Sequence, residues 1–308
     1  MHPSRVGRTV AHEGEDAEMG TEASEQITRK SASNLALAFA LLPPHKRAAM
    51  SALYAFCREV DDVADEESVP QATRRQQLAA WRDDVHKACS GGNPTFVVNR
   101  ELQPVIAEFG LRFELFDELI RGVETDLDTF RFANHAELDL YCYRVASVVG
   151  LLSIEIFGYQ DPRCQEYAVA LGKALQLTNI LRDVGNDAAR GRIYIPIEDL
   201  QKFQVSPEEI LAGTSSDRFL QLAEDLASRA RGFYAQAKTI LPPSERRSMV
   251  AAELMGTVYW KLLRHLETHR FPVLGSVPCK LSRSRKILLV LFAWIRFKLH
   301  LPFANYGV

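Results

Sequence analysis

The sequence is poor in the features that mark several common protein classes. Its five cysteines are scattered and odd in number, with no CxxC pair. That argues against a disulfide scaffold or a zinc site and for reduced thiols. No uninterrupted apolar run approaches the ~20 residues of a membrane-spanning helix. The formal net charge of −2 lacks the basic surplus expected of a nucleic-acid binder. Alternating strand patterns are scarce, and the one candidate, Arg192-Ile-Tyr-Ile-Pro196, contains a proline and reads as an extended loop. No nucleophilic triad appears, and lone histidines such as His45 and His135 read as surface residues.

What the sequence has is helical periodicity punctuated by turns. Residues 1 to about 27 are polar and acid-rich and read as a disordered tail without the basic and apolar blocks of a secretory signal. The folded part is expected to begin near Ser31-Ala-Ser-Asn34, with capping side chains before an apolar run. Pro44 and Pro207 sit where helices can open. Val69-Pro70, Gly91-Gly-Asn-Pro94, Phe109-Gly110 and Asp161-Pro162 are turn signals. The spacing predicts helices over Phe113–Thr129, Asp217–Ile240 and Ser244–Thr268. Tyr141–Phe157 is apolar on most sides and reads as a central helix. The expected fold is all-α, a single-domain helical bundle with a central apolar cavity. Residues 28–285 form its domain, between the tail and an amphipathic segment over 286–308.

Two acidic stretches carry the chemistry. Residues three and four apart share a helix face, so Tyr54, Arg58, Asp61, Asp62 and Asp65 form one stripe. Gln176, Asn179, Asp183 and Asp187 form another. A carboxylate spacing of four residues is about 6 Å along the axis, close enough to clasp a hard cation. Both stripes lie among Leu, Ile, Val and aromatic residues, where uncompensated carboxylates would repel one another. Cations between the stripes resolve that repulsion, which points to a magnesium–diphosphate site. Arg58 and Arg182 can meet diphosphate oxygens bidentately. A diphosphate departing from an allylic carbon leaves a carbocation, which an apolar cavity shields from water. Phe39, Tyr54, Tyr141 and Phe157 are aromatic candidates for stabilising that charge.

These residues also carry a resemblance. Tyr54-Ala-Phe-Cys-Arg58 runs into Asp61-Asp62-x-x-Asp65, and Tyr141-Cys-Tyr-Arg-Val-Ala-Ser-Val-Val-Gly150 follows. Gln176-x-x-Asn179-Ile-Leu-Arg182-Asp183-x-x-x-Asp187 then leads to Gly191-Arg192-Ile-Tyr194-Ile-Pro196. In this order the set resembles the squalene/phytoene synthases, the head-to-head prenyl synthases. Bacterial presqualene diphosphate synthases are the nearest match and phytoene synthases the next.

The resemblance implies condensation of two prenyl diphosphates, taken here as farnesyl diphosphates yielding presqualene diphosphate or a squalene-type product. Two geranylgeranyl diphosphates yielding phytoene are the alternative. It implies Asp61, Asp65, Asn179, Asp183 and Asp187 as ligands to Mg2+, or to Mn2+ in its place. Tyr54, Arg58, Gln176, Arg182, Arg192 and Tyr194 would bind substrate, and Tyr141 and Tyr259 would lie near the reacting carbons. NADPH is not expected for the first half-reaction, and its part in any later reduction stays open. The rivals are a terpene cyclase and a non-catalytic isoprenoid-binding homologue.

Two departures stand out. Asn186 replaces a usual Glu, and Ser33-Asn34-Leu35-Ala36-Leu37 stands where a Ser-Phe-x-Tyr is common. Near the end, Arg283, Arg285 and Lys286 precede the apolar stretch Ile287–Ile295, and Arg296 and Lys298 follow. Such a segment suits a membrane interface or a last core helix. The expected location is the cytoplasm, with peripheral contact at the inner membrane face.

Overall fold

The computed structural model describes residues 22–30, 38–39, 41–275, 288, 291–292, 295–296, 299 and 306–307. Helix α1 (Glu22–Lys30) starts inside the stretch expected to be tail. Glu101 explains it, because its carboxylate accepts from the free backbone N–H groups of Ala23 and Ser24 at 3.0 and 2.9 Å. A cap supplied from elsewhere in the fold cannot be seen in local composition. The expected opening at Ser31–Asn34 lies outside the described residues.

Pro44 opens α2 (Pro44–Asp65) at its first turn, with Pro43 extended before it. Then follow α3 (Gln71–Cys89), α4 (Val97–Phe109) and α5 (Phe113–Asp128). Gly110 ends α4 in the left-handed region at φ 64°, as its turn signal predicts. Next is a continuous helix from His135 to Phe157 in three parts: α6 (His135–Cys142), a π-helical turn (Tyr143–Ser147) and α7 (Val148–Phe157). After it come α8 (Arg163–Ala189), α9 (Ile197–Lys202) and α10 (Pro207–Leu211), the last capped by the Ser206 hydroxyl. Helix α11 (Asp217–Ile240), a 3-10 turn (Pro243–Arg246) and α12 (Val250–Thr268) complete the described helices. Pro242 and Pro243 delay α12 relative to its expected start, because proline favours the tight turn over continuing a hydrogen-bonded helix.

The Arg192–Pro196 segment is an extended loop, as expected. It makes one isolated bridge, between Ile193 and Arg131. No strand forms among the described residues, and the fold is the all-α bundle anticipated.

The π turn is wedged between two glycines. A Cβ on Gly172 of α8 would lie 2.5 Å from the Ser147 Cα, and one on Gly122 of α5 would lie 2.7 Å from the Arg144 Cβ. Backbone therefore meets backbone on α8, and Ser147 Oγ ties the pair by donating to the Val169 carbonyl at 2.8 Å. Such an extra-residue turn shifts the helical register and re-aims side chains locally. Here Val145, Ala146 and Val149 reach the central cavity along with Tyr141.

By length and composition His135–Phe157 is apolar enough to cross a membrane, a property hidden in the sequence because charges interrupt it. Half of its most apolar window is buried inside the bundle. Its apolarity serves the core and the cavity wall.

A Gly172→Ala variant tests the backbone contact. Its methyl must push α8 and the π turn apart, at a cost of about 1–3 kcal/mol typical of overpacking. Thermal unfolding should show a clear drop in Tm, and an unchanged melting curve would mean the two segments do not touch.

Candidate active site

A cavity of about 580 Å³ runs through the bundle. Helix α8 lines its length. Asp183 and Tyr167, both in the wall, are about 24 Å apart by the helical rise. The central helix runs alongside, from Tyr141 near the acidic end to Phe157 at the other. Of the residues singled out from the sequence, Tyr54, Arg58, Asp61, Tyr141, Gln176, Asn179, Arg182, Asp183 and Tyr259 line this one space. The four candidate aromatics, Phe39, Tyr54, Tyr141 and Phe157, line it too.

Asp65, Asp187, Arg192 and Tyr194 stand just outside the wall, tied to residues at its acidic end. Asp65 is the last residue of α2, one turn beyond Asp61, and Asp187 lies in the last turn of α8, one turn beyond Asp183. Arg190 and Arg192 approach Asp65 at 3.4 and 3.9 Å. The Tyr194 hydroxyl donates to Asp126 at 2.8 Å. Asp61 and Asp183 thus share one cavity wall, and Asp61 and Asp187 both feel the charge of Asp126, near the C-terminal ends of their helices.

That placement is electrostatically adverse. A helix C-terminus carries about half a negative charge, so carboxylates there add to a like field. Neither α2 nor α8 has a basic residue in its last turn. Burial pushes the Asp61 carboxyl up to about 7, with Asp65 adding to the shift and Arg58 opposing it. Burial, then the charge of Asp183, also pushes Asp187 to about 7.

The arginines on the stripes offset part of this. Arg58 reaches Asp61 at 3.2 Å and pairs with Asp62. Arg182 clasps both oxygens of Asp183. Asn179 donates its amide to Gln176 at 3.3 Å, while its own side-chain oxygen is buried without a hydrogen-bond partner.

Sequence reading missed Asp126. It comes from the end of α5, and its carboxylate accepts from the Tyr194 hydroxyl at 2.8 Å and from the Tyr141 hydroxyl at 3.1 Å. Burial raises it to about 6 even though both tyrosines stabilise its charge. The Tyr141 and Tyr194 rings stack at 5.3 Å and Phe132 packs beside both. A signal was available, since Asp126 continues the wall positions Leu119 and Val123 at helical spacing and sits, like the stripes, at a helix C-terminus.

Asn186 is exposed and off the ligand stripe. The stretch Ser33–Leu37 lies outside the described residues.

The donor set suits magnesium. Among the described residues no group of three or more His, Cys, Asp or Glu converges into a ready-made metal cage. Magnesium does not need one, because it keeps waters and takes one or two carboxylates with the rest supplied by substrate phosphates. Hard oxygens on Asp61, Asp65, Asp183 and Asp187, with the unpartnered Asn179 oxygen, fit that habit.

An all-α bundle enclosing an apolar cavity with acidic helix ends at one end has the architecture of an isoprenoid synthase. The chain belongs to the squalene/phytoene synthase family, whose model matches residues 28–285, and it is a prenyltransferase of that type.

Presqualene diphosphate synthases of Rhodopseudomonas palustris and Zymomonas mobilis are 37% and 38% identical over 82% and 81% of this chain, covering 90% and 85% of their own lengths. A 15-cis-phytoene synthase of Synechocystis is 34% identical over 89% of the chain and 84% of its own length. Among solved structures, a dehydrosqualene synthase bound to a ligand superposes with a TM-score of 0.79 at 28% identity, covering 91% of this chain and 96% of that one. A squalene synthase of Alicyclobacillus acidocaldarius gives 0.73 at 28% identity, over 82% and 94%.

The raised carboxyls set a pH dependence for the metal-free protein. In the unfolded chain they titrate near 4, and in the fold near 6 to 7. Folding therefore favours their protonated forms, so their effect is absent below about pH 4. It grows as an increasing destabilisation up to about pH 7 and then levels off. With EDTA present, Tm should fall as pH rises across that window, and the fall should shrink in Asp61→Asn/Asp187→Asn. Equal pH slopes in the two proteins would refute the assignment.

Proposed function

We propose that the protein condenses two farnesyl diphosphates head to head, with Mg2+ or Mn2+, to presqualene diphosphate. The observation that carries this reading is the convergence of both acidic stripes at one end of a single apolar cavity. It is supported by relatives named presqualene diphosphate synthase that match over four fifths of the chain. The likeness to phytoene synthases supports condensation of two geranylgeranyl diphosphates as the second reading.

In this reading Asp61 and Asp65 on one side, and Asn179, Asp183 and Asp187 on the other, hold magnesium. When bound, it neutralises the charge that develops on the departing diphosphate. Arg58, Arg182 and Arg192 address diphosphate oxygens, exchanging their present carboxylate partners for substrate. The C1–O bond of one substrate breaks and diphosphate leaves with the electron pair. The C2–C3 double bond of the second substrate attacks the C1 cation, and loss of a proton to the departed diphosphate closes a cyclopropane that still carries its own diphosphate.

Tyr54, Tyr141 and Phe157 line the cavity, where aromatic rings can stabilise a cation, and the apolar wall excludes the water that would quench it. Asp126 fixes the Tyr141 hydroxyl and holds a negative charge near the developing cation. Tyr259, which interacts with Arg182 and lines the cavity, stands near the reacting carbons in this reading. This half-reaction consumes no hydride, so NADPH is not needed for it.

The protein is proposed to work in the cytoplasm against the inner membrane face. Leu288, Leu291, Phe292, Ile295 and Leu299 are exposed and follow helical spacing. Most of the Ile287–Ile295 stretch lies outside the described residues. An exposed apolar face flanked by basic side chains suits an anionic lipid surface and the delivery of a water-insoluble product. Truncation after Arg285 should abolish co-flotation with anionic liposomes, and unchanged flotation would overturn the membrane contact.

The decisive assay offers farnesyl or geranylgeranyl diphosphate with Mg2+ and without NADPH. Presqualene diphosphate from the first is the expected product, whereas phytoene from the second alone would select the other reading. Asp61→Ala or Asp183→Ala should lower turnover by at least about a hundredfold, the scale of losing one charge-stabilising group, with the circular dichroism of the parent. Normal turnover in either variant would end the metal assignment.

A further inference from the structure

The far end of the cavity is backed by a residue from the last stretch of the sequence. Tyr306 is 1% exposed. Its hydroxyl donates to the Glu253 carboxylate of α12, the oxygen that also accepts from Tyr167 at 2.8 Å. Tyr167 is a cavity-wall residue at the end remote from the acidic stripes. Glu253 is 2% exposed, held by two phenols, and buried among apolar side chains.

The packing says that Tyr306 is seated behind the wall. A Cβ on Gly256 would lie 2.8 Å from the Tyr306 ring and 3.2 Å from Leu171, which is itself a wall residue. Glycine at 256 leaves the hollow the ring fills. The Tyr234 ring meets Tyr306 at 5.8 Å. Gly307 turns at φ 68°, where a Cβ would stand 2.8 Å from the Tyr234 carbonyl oxygen. Only glycine passes so close to α11 in that conformation. Ring, hydroxyl and following glycine are therefore each fitted to one place.

A carboxylate so deeply buried must have its hydrogen bonds satisfied, or it becomes costly to keep in the fold. Glu253 is thus a reason for Tyr306 to stay seated, and burial raises its carboxyl above the usual range despite both phenols.

We propose that Tyr306, anchored on Glu253, braces Tyr167 and Leu171 as the back wall of the prenyl cavity and thereby sets the length of prenyl chain the enzyme accepts. The inference rests on the prenyl diphosphate reading. Removing the ring leaves space behind Leu171 and Tyr167 into which these wall side chains can retreat, lengthening the cavity. A longer chain could then bury further methylenes where a shorter one gains nothing. Removing only the hydroxyl leaves the wall in place.

Binding of unreactive thiolo-diphosphate analogues of farnesyl and geranylgeranyl alcohol, followed by calorimetry with Mg2+, separates this idea from the reaction itself. The ratio of the two Kd values in the full-length protein is the readout. Tyr306→Ala should shift that ratio toward the geranylgeranyl analogue by about tenfold, and Tyr306→Leu, which leaves a smaller void, should shift it less. Tyr306→Phe should keep the parent ratio while lowering Tm.

A merely structural tyrosine would weaken both analogues together, so an unchanged ratio in Tyr306→Leu with parent-like circular dichroism overturns the proposal even if Tyr306→Ala fails to fold. Failure of the parent to condense either natural substrate would instead count against the function proposed above. The Kd ratio would still decide the role of Tyr306.

Discussion

The structure is governed by the repulsion among carboxylates gathered around Asp126 near the C-terminal ends of three helices. Asp61 and Asp65 close α2, Asp183 and Asp187 close α8, and Asp126 joins them from the end of α5. Each helix dipole adds to the negative field instead of opposing it. Burial raises Asp61 and Asp187 to about 7 and Asp126 to about 6, well above ordinary aspartate. A protein that kept such an arrangement for stability alone would gain by replacing it. Its persistence makes sense for a site that binds cations and a polyanionic leaving group together, where the repulsion becomes affinity.

The rest of the bundle converts that charged end into a directed cavity. Two glycines let the π turn press against α5 and α8, and the register shift at that turn brings Val145, Ala146 and Val149 to the wall along with Tyr141. The paired tyrosines at Asp126 then stand where the acidic end gives way to the apolar tunnel. In the proposed reaction, charge would separate at the acidic end and the prenyl chains would lie along the apolar remainder. Long helices connect the two rigidly because the spacing is set by α8 itself.

Much of this was legible before the structure. Both stripes and their arginines follow from helical spacing, because i, i+3 and i, i+4 rules hold wherever a helix forms, while Tyr141 was marked by its aromatic character and by the family resemblance. The proline-opened starts of α2 and α10 and the glycine stop of α4 are also local chemistry. What escaped depends on contacts between distant segments. The start of α1 is fixed by Glu101, the π turn by glycines on two other helices, and the burial of Tyr306 by a hole at Gly256. Asp126 is the intermediate case, since its helical position was readable while its phenol partners lie 15 and 68 residues away.

The division between mouth and wall also explains why the product is harder to read than the reaction. Relatives named for presqualene diphosphate and for phytoene match this chain at 38% and 34% identity, so overall likeness separates the two products only weakly. A site that only handles diphosphate has no means of measuring the hydrocarbon attached to it. Discrimination by methylene count is worth only about 1–3 kcal/mol in an apolar pocket. Small differences in wall volume are therefore enough to change the preferred substrate. The residues that matter for this are the ones spaced furthest from the aspartates, such as Phe157 and Tyr167 and whatever packs behind them. Their influence is a matter of shape, and it arises only when α8, α12 and the last stretch of the chain are brought together.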